Sequence, residues 1–375
     1  MAAELGQTRL LSLDVFRGIT IAGMVLVNNP GTWEAIYPPL EHAEWHGLTP
    51  TDLVFPFFLF IVGVSISFAL GKRIEEGVTR DVYLKIFRRS FLIFLIGSLL
   101  HWFPYFDLAN WRIPGVLQRI AVCYLIASLI FLHTNWKQMT IISVVLLLFY
   151  WLLMTIVPVP GCAVTTIDDK ACNLAAYVDR TVFGLNHIWK QAKVYDPEGL
   201  LSTLPAVVTT IAGILTGLWL KTKRNDWEKV SSLFFFGVVL LVIGWIWNPF
   251  FPFNKALWTS SYVVFTAGLA LCFLGFCYWL IDIKGYKTWA TPFVIFGVNA
   301  MALYIGSGLM ARILGIIKVT GADGEQTSLQ GWIYTTVFEP LADPKTSSLM
   351  FAICFILVWL FLMWLLYRKR IYFKV

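Results

Sequence analysis

The sequence predicts an all-α integral membrane protein with about ten transmembrane helices and both termini in the cytoplasm. Of its 375 residues, 58% are hydrophobic and only 14% are charged, whereas about a quarter of a soluble domain is typically charged. The mean hydropathy is +0.72. The apolar runs are about 20 residues long, which is the length that a helix needs to cross a bilayer and about twice that of a barrel strand.

Ten apolar runs define the predicted spans. In order they are 13–30, 51–71, 89–104, 113–133, 138–158, 201–220, 231–248, 258–281, 289–312 and 347–367. The first run is interpreted as a retained span, because no small-residue cleavage site ends it as it would a signal peptide. Residues 1–375 are therefore interpreted as one transmembrane domain, elaborated by two long loops, 158–200 and 313–346.

The positive charges predict the orientation of these spans. Most of the 29 Lys and Arg residues lie in segments that alternate spans place on one side, such as KRIEEGVTRDVYLKIFRR, KTKRNDWEK and the tail YRKRIYFKV. Loops rich in Lys and Arg stay in the cytoplasm, so both termini are expected there and the two long loops outside. The net charge of +7 then reflects topology and contact with lipid head groups, and we expect no nucleic-acid partner.

The first span carries polar residues at both ends. Asp14 and Arg17 are three residues apart and can pair on one helix face, either as a simple interfacial ion pair or with Arg17 holding an anionic ligand from the cytoplasm. Asn28 lies at the other end, just before Pro30 stops the helix. It is either an ordinary helix terminator or an amide that stabilises a developing oxyanion.

The second span begins in a segment rich in titratable groups, HAEWHGLTPTDLVFPF. His42 is a candidate general base, because imidazole titrates near neutral pH; the plain alternative is a solvated surface histidine. The neighbouring Trp45 indicates a partly buried mouth. Asp52 either favours the start of the helix electrostatically or orients the His42 ring. His42 and His46 have no third ligand nearby, so no metal site is expected.

The fourth span begins in RIPGVLQR, which places Arg112 and Arg119 two helical turns apart with Gln118 beside them. A guanidinium inside an apolar run needs a partner or a wet cavity. It can bind phosphate or carboxylate through two parallel hydrogen bonds. These residues therefore either line a channel for an anionic ligand or recognise a second substrate.

The remaining candidates lie at the entrances to later spans. The 158–200 loop contains Cys162 and Cys172, ten residues apart on the predicted oxidising side, so a disulfide is expected, with two free thiols as the alternative. Further polar groups are Asp196 and Glu198 in YDPEGLL, Asn254, Lys255 and Trp258 in NKALW, and Asn299 in GVNAMALYIG. Together they predict a polar cavity that opens to the outside.

Several strings in this order closely resemble the heparan-alpha-glucosaminide N-acetyltransferase family. They include RLLSLDVFRGITIAGMVLVNNPG, HAEWHGLTPTDLVFPFFLFIVG, RIPGVLQRIAVCY, AAYVDRTVFG and YDPEGLLSTLPAVVTTIAGILTG, and they run from Arg9 to the last span. The resemblance implies a membrane acyltransferase of ten or eleven spans. Such an enzyme takes acetyl from cytoplasmic acetyl-CoA and delivers it to the amine of a terminal glucosamine on the far side.

The resemblance also implies roles for individual residues. His42 falls on the catalytic histidine of the family and Asn28 on the asparagine after its first span, whereas His46 stands where the mammalian enzyme has Asn and takes no role. No large luminal region precedes the first span, which suggests a bacterial-type member in the bacterial inner membrane and leaves the acceptor open. A homodimer is expected from the resemblance alone.

The prediction is thus an acetyl-CoA:amino-sugar N-acetyltransferase. His42, Asn28 and Asp52 are its catalytic candidates. We assign Arg17, Arg112, Gln118, Arg119 and Asn299 to acetyl-CoA, and Asp14, Trp45, Asp196, Glu198, Asn254, Lys255 and Trp258 to the acceptor. The alternatives are a secondary transporter of an amino sugar, an acyltransferase for another envelope acceptor, and a non-catalytic membrane partner protein.

Overall fold

The computed structural model describes residues 10–320 and 325–373. Residues 1–9, 321–324 and 374–375, which belong to the predicted cytoplasmic terminus, an outer loop and the basic tail, lie outside the described residues. The helices are α1 Leu11–Asn28, α2 Val54–Glu75, α3 Arg80–Trp102, α4 Val116–His133, α5 Trp136–Ile156, α6 Leu174–Phe183, α7 Thr203–Leu220, α8 Asp226–Trp247, α9 Ser260–Cys277, α10 Thr291–Val298, α11 Ala300–Ile316, α12 Leu329–Ile333 and α13 Pro344–Arg368. Two short antiparallel strands, β1 Lys318–Thr320 and β2 Gln326–Ser328, form a hairpin. The expected all-α membrane fold is confirmed.

Short 3-10 and π segments join or extend the helices. The 3-10 segments are Pro38–Leu40, Pro50–Leu53, Leu185–His187, Thr288–Ala290 and Glu339–Leu341, and the π segments are Tyr278–Ile283 and Tyr334–Phe338. The 3-10 segment Pro50–Leu53 runs directly into α2, and this junction carries Asp52.

Within the described ranges, eight spans are long and apolar enough to cross a membrane. A ninth is Thr288–Val298 with Ala300–Ile316, two helices that meet at an angle of 73°. The one expected span that remains is 89–104, which corresponds to α3. This helix has transmembrane length, but charged residues lie near its start: Arg80, Asp81, Lys85, Arg88 and Arg89. These charges explain why α3 is less apolar than the other spans.

The described chain divides into two compact units. The first contains the chain up to His42, Thr49–Val54, and the residues from Phe276 onward, whereas the second contains Ala43–Leu48 and Phe55–Gly275. The interpretation of 1–375 as a single domain, and the orientation of the spans, stay predictions.

In the first unit, α1 packs closely on α10 through reciprocal glycines. A Cβ added to Gly18 would lie 1.8 Å from the Phe293 carbonyl oxygen, and one added to Gly297 would lie 2.0 Å from the Asp14 carbonyl oxygen. Small residues let membrane helices approach to backbone contact, where van der Waals packing stabilises the pair. The apolar sequence of α1 thus forms the helix, and Gly18 and Gly297 allow its close contact with α10.

In the second unit, α2 and α7 cross in the same manner. A Cβ added to Gly63 would lie 1.9 Å from the Thr210 carbonyl oxygen, and one added to Gly213 would lie 2.0 Å from the Phe60 carbonyl oxygen. A separate buried cluster lies under the 158–200 loop and includes Tyr150, Met154, Val159, Leu174, Phe251 and Leu257. The Tyr150 hydroxyl donates to the Leu257 carbonyl oxygen at 2.5 Å, which ties α5 to the start of α9.

Candidate active site

A histidine–aspartate pair lies in the first unit, in residues that follow α1 along the chain. The His42 Nδ1 atom is 2.7 Å from Asp52 Oδ1. The Asp52 side chain is only 1% exposed, whereas the His42 side chain is 48% exposed. A buried carboxylate therefore holds an imidazole whose ring reaches the surface of the protein.

The local sequence accounts for the placement of Asp52. Thr49 and Asp52 form a capping box at the segment that begins with Pro50, and Asp52 Oδ2 accepts the Thr49 backbone N–H at 3.1 Å. A threonine followed three residues later by an acidic side chain is a common helix start. One carboxylate oxygen thus caps the helix, and the other contacts His42.

This geometry determines which ring nitrogen of His42 can act as a base. A carboxylate at Nδ1 favours the tautomer that carries its hydrogen on Nδ1 and its lone pair on Nε2. The same carboxylate stabilises the imidazolium that forms when Nε2 takes up a proton. The pair can therefore remove a proton from a nucleophile.

The third predicted catalytic residue, Asn28, is the last residue of α1, and its side chain is exposed. The neighbouring Asn29 is buried, and its amide donates to the Val25 carbonyl oxygen at 2.8 Å. Asn29 therefore closes the end of α1. The catalytic role of Asn28 stays a prediction.

In the second unit, the structure brings Arg112 together with two predicted acceptor residues. Arg112 Nε and Nη2 donate to the Asp196 carboxylate at 2.8 and 2.5 Å, and Nη2 also donates to Glu198. Burial opposes the ionisation of Glu198, but the charges of Arg112, Arg119 and Lys255 outweigh it and lower the pKa of this carboxyl. Burial likewise disfavours the Arg112 cation, yet Glu198 and Asp196 raise the pKa of Arg112, so Arg112 and Glu198 both stay ionised.

Arg119 lies deeper in the same unit and is only 2% exposed. Its Nη2 atom donates to the Gly199 carbonyl oxygen at 3.0 Å and to the Ser202 hydroxyl. Its guanidinium lies 5.2 Å from the centroid of the buried Trp258 ring. Nε and Nη1 have no hydrogen-bond partner among the residues that the structure describes. A buried, partly unsatisfied cation is costly and marks a place where a polar ligand atom would be stabilised.

The sequence did not single out Asp179, although the structure places it beside these residues. Asp179 is 1% exposed, and its Oδ1 atom accepts the Leu200 backbone N–H at 2.8 Å. Burial is the main reason why the pKa of the Asp179 carboxyl is raised to about 7. Its position within AAYVDRTVFG was the only available signal, and that string gave no reason to choose the aspartate.

The other predicted ligand residues of the second unit have partners within the protein. Gln118 Nε2 lies 3.4 Å from His101 Nδ1, and Trp45 packs edge-on against Tyr195 with ring centroids 5.0 Å apart. Asn254 contacts His46 and the Leu257 backbone. Their roles toward ligands stay predictions.

In the first unit, the predicted Asp14–Arg17 pair forms, with Arg17 Nη1 3.2 Å from Asp14 Oδ1. Asn299 holds the C-terminal segment: its amide donates to the Ile371 carbonyl oxygen at 3.0 Å and accepts the Phe373 N–H at 3.1 Å. The proposed contacts of Arg17 and Asn299 with an anionic ligand stay predictions.

The structure joins Cys162 and Cys172 in a disulfide with a Cα–Cα distance of 5.8 Å. The other four cysteines, Cys123, Cys272, Cys277 and Cys354, are free thiols. Over residues 10–320 and 325–373, no three His, Cys, Asp or Glu side chains are grouped as a metal site would require.

The chain is similar to known proteins over most of its length. The family model described as "Heparan-alpha-glucosaminide N-acetyltransferase, catalytic" matches residues 9–228. Two proteins named heparan-alpha-glucosaminide N-acetyltransferase are similar to this chain: the one from Mus musculus is 28% identical and the one from Homo sapiens 29%, each over 98% of this chain and 60% of its own length. The chain thus spans about 60% of the length of these curated relatives. The matched region includes His42, Asp52, Arg112 and Arg119, but it ends before Asn254.

Proposed function

Since the chain belongs to the heparan-alpha-glucosaminide N-acetyltransferase family, we propose that it is a membrane acyltransferase that uses acetyl-CoA. It transfers acetyl from the cytoplasmic side to the amine of a glucosamine-type sugar on the outer side of a bacterial inner membrane. The observation that carries the proposal is the 2.7 Å contact between His42 Nδ1 and the buried Asp52 carboxylate. An amine that attacks a thioester needs a base, and this pair can supply one.

The chemistry assigned to the pair is proton transfer. His42 Nε2 removes a proton from the attacking amine while the new C–N bond forms, and Asp52 stabilises the resulting imidazolium. As the C–S bond breaks, His42 returns the proton to the CoA sulfur, and CoA leaves as a thiol. If acetyl is first carried on the enzyme, the same Nε2 atom is the nucleophile, and Asp52 keeps its role.

Asn28 is assigned to the carbonyl oxygen, on which negative charge develops. Arg119 is assigned to the acyl donor, because two of its nitrogens have no hydrogen-bond partner among the described residues. The further donor residues are Arg17, Arg112, Gln118 and Asn299, and the acceptor residues are Asp14, Trp45, Asp196, Glu198, Asn254, Lys255 and Trp258. The homodimer is also part of this proposal.

The proposal is tested with purified protein, acetyl-CoA and a panel of amino sugars and envelope sugars, by measuring the CoA thiol that is released. We expect His42→Ala to lower kcat by about 10²–10⁴-fold, the usual contribution of a general base, while acetyl-CoA binding persists. The matched control is His133→Ala, which removes a ring that bonds the Tyr83 hydroxyl at 3.0 Å. A near-normal rate in His42→Ala, or no transfer to any amine by the wild type, contradicts the proposal.

One observation favours a second candidate, a secondary transporter of an amino sugar. The helices Thr288–Val298 and Ala300–Ile316 meet at 73°, and discontinuous helices form the substrate sites of many transporters. Uptake of labelled glucosamine into proteoliposomes without acetyl-CoA would favour this candidate. Uptake that depends on acetyl-CoA, together with acetylated product, would favour the enzyme.

A further inference from the structure

The loop closed by the Cys162–Cys172 disulfide contacts the three residues Glu44, Trp45 and His46. Trp45 Nε1 donates to the Ile167 carbonyl oxygen at 2.9 Å. His46 Nε2 lies 2.9 Å from Asp168 Oδ1, and Glu44 Oε1 lies 3.6 Å from Lys170 Nζ. Trp45 and His46 are therefore hydrogen-bonded to one loop that is more than a hundred residues away in sequence. Glu44 contacts the same loop through an ion pair in which its side chain is 96% exposed, so this contact contributes little.

The loop has internal bonds that define its shape. The disulfide closes it, and the Thr166 N–H donates to the Cys172 carbonyl oxygen at 3.1 Å. Asp169 Oδ1 accepts the N–H groups of Ala171 and Cys172 at 2.6 and 3.1 Å. A loop cross-linked in this way loses less conformational entropy when it holds another segment than an open loop would.

His46 is a bridge rather than a base, because both of its ring nitrogens are engaged. Asn254 Oδ1 accepts the Leu257 N–H at 2.8 Å, so the amide nitrogen of Asn254 is the atom that faces His46 Nδ1, at 3.3 Å. Nδ1 must then accept this hydrogen bond, and Nε2 carries the hydrogen that is donated to Asp168. The ring thus links the Asn254 turn to the disulfide loop.

We propose that the disulfide-closed loop fixes residues 44–46, the segment to which the catalytic candidate His42 is joined along the chain, and that Asp168 is a positioning residue that acts through His46. This inference rests on the proposed function. His42 is joined to Glu44 through Ala43, and residues 43–48 contain no regular helix or strand. The segment is therefore restricted by its side-chain contacts with the loop and by the Gly47 N–H, which donates to the Phe253 carbonyl oxygen at 2.8 Å. Misplacement of a reacting group by about 1 Å can lower a rate by about 10²-fold.

The first test is a pair of substitutions at Asp168, whose side chain is 71% exposed. We expect Asp168→Ala to lower kcat about tenfold and to change the KM for acetyl-CoA less than twofold. Asp168→Asn keeps an oxygen that accepts the His46 N–H, and it should restore kcat to within about twofold of the wild type. The control is Asp107→Ala, which removes an exposed carboxylate that bonds Ala109 and Asn110. Equal losses for Asp168→Ala and Asp168→Asn, or a rise in KM alone, would overturn the positioning role.

The second test removes the cross-link in two ways: by the substitution Cys162→Ser, and by reduction of the wild-type disulfide with a phosphine. In the reduction the disulfide becomes two thiols and the phosphine becomes a phosphine oxide, whose oxygen comes from water. Transfer of labelled acetyl should fall about tenfold in both cases. The double variant Cys162→Ser/Asp168→Ala should lose no more than the worse single variant, since both changes release the same segment. Full kcat in protein whose two thiols are shown by labelling to be free contradicts the proposal.

A measurement without turnover separates this inference from the proposed function. Diethyl pyrocarbonate modifies neutral imidazoles, and peptide mass spectrometry gives the rate at each histidine. We expect Asp168→Ala and the reduced protein to raise the rate at His42 at least threefold, with His133 as the internal reference. Unchanged rates at His42 overturn the inference, whereas wild-type protein that transfers no acetyl overturns the proposed function alone.

Discussion

Replacing Asp52 with Asn should lower kcat strongly while the protein still folds. The Asp52 side chain is 1% exposed, with Oδ1 at 2.7 Å from His42 Nδ1 and Oδ2 at the Thr49 N–H. In the variant, the amide oxygen can keep the bond from Thr49, which turns the NH₂ group toward Nδ1. His42 then accepts at Nδ1 and carries its hydrogen on Nε2, so Nε2 can no longer act as a base.

The size of the effect follows from this change of tautomer. The corresponding change in a serine protease lowers kcat about 10⁴-fold. The His42 side chain is 48% exposed, so water can solvate the ring and partly compensate. We therefore expect a loss of about 10²–10³-fold, or about 3–4 kcal/mol in the barrier at ~1.4 kcal/mol per factor of ten. The effect on stability should be smaller, about 1 kcal/mol or less, because Asn still caps a helix but lacks charge at its N-terminus.

The assay is initial-rate acetyl transfer at saturating acetyl-CoA, with thermal unfolding of the same samples. Asp343→Asn is the matched control, because Asp343 caps α13 through the Thr346 N–H at 3.1 Å. The control should lose similar stability and keep its rate. A kcat for Asp52→Asn within threefold of the wild type, or an equal loss in Asp343→Asn, would refute the reasoning.

Two further predictions concern buried groups of the second unit. Arg119→Met keeps the apolar stem but removes the whole guanidinium, that is, the two nitrogens that lack described partners and the Nη2 bonds to Gly199 and Ser202. It should raise the KM for acetyl-CoA more than tenfold and lower the free energy of unfolding by roughly 1–3 kcal/mol for the lost bonds; an unchanged KM in steady-state assays counts against the assignment. Burial raises the pKa of Asp179 to about 7 in the folded protein, whereas an unfolded Asp has a pKa of about 4. Between these two pH values the folded state binds more protons than the unfolded state. The free energy of unfolding therefore falls as pH rises through this range, by up to about 1.4 kcal/mol per pH unit. Asp179→Asn should flatten this slope in melting curves recorded from pH 5 to 8, whereas parallel slopes in the two proteins would show that Asp179 does not titrate there.

The fold class could be predicted from the sequence, because the property that makes a membrane helix is local. A run of about 20 apolar residues must satisfy its own backbone hydrogen bonds in lipid, so composition alone located α1, α2 and α13. The helix start at Thr49–Asp52 was equally local, since a capping box lies within four residues. The signal was weaker for α3, because charged residues near its start make this helix less apolar than the other expected spans.

The pairing of side chains depended on tertiary structure. Their positions at the starts of apolar runs identified His42, Arg112 and Asp196 as candidates. Only the folded chain placed His42 against Asp52 and Arg112 against Asp196. His46 and Asp168 could not have been matched from the sequence, because the segments between them carry no signal of their mutual distance.

The sequence by itself therefore determined that this chain is a bundle of membrane helices of a recognisable acyltransferase family, with a titratable segment at the start of α2. The tertiary structure decided which groups meet: the bend of 73° between α10 and α11, the loop that holds residues 44–46, and the partly unsatisfied guanidinium of Arg119. The physical reason is the separation along the chain over which each interaction acts. Hydropathy and capping act within one or two helical turns, whereas a buried ion pair or a bridging histidine forms only after distant helices have packed.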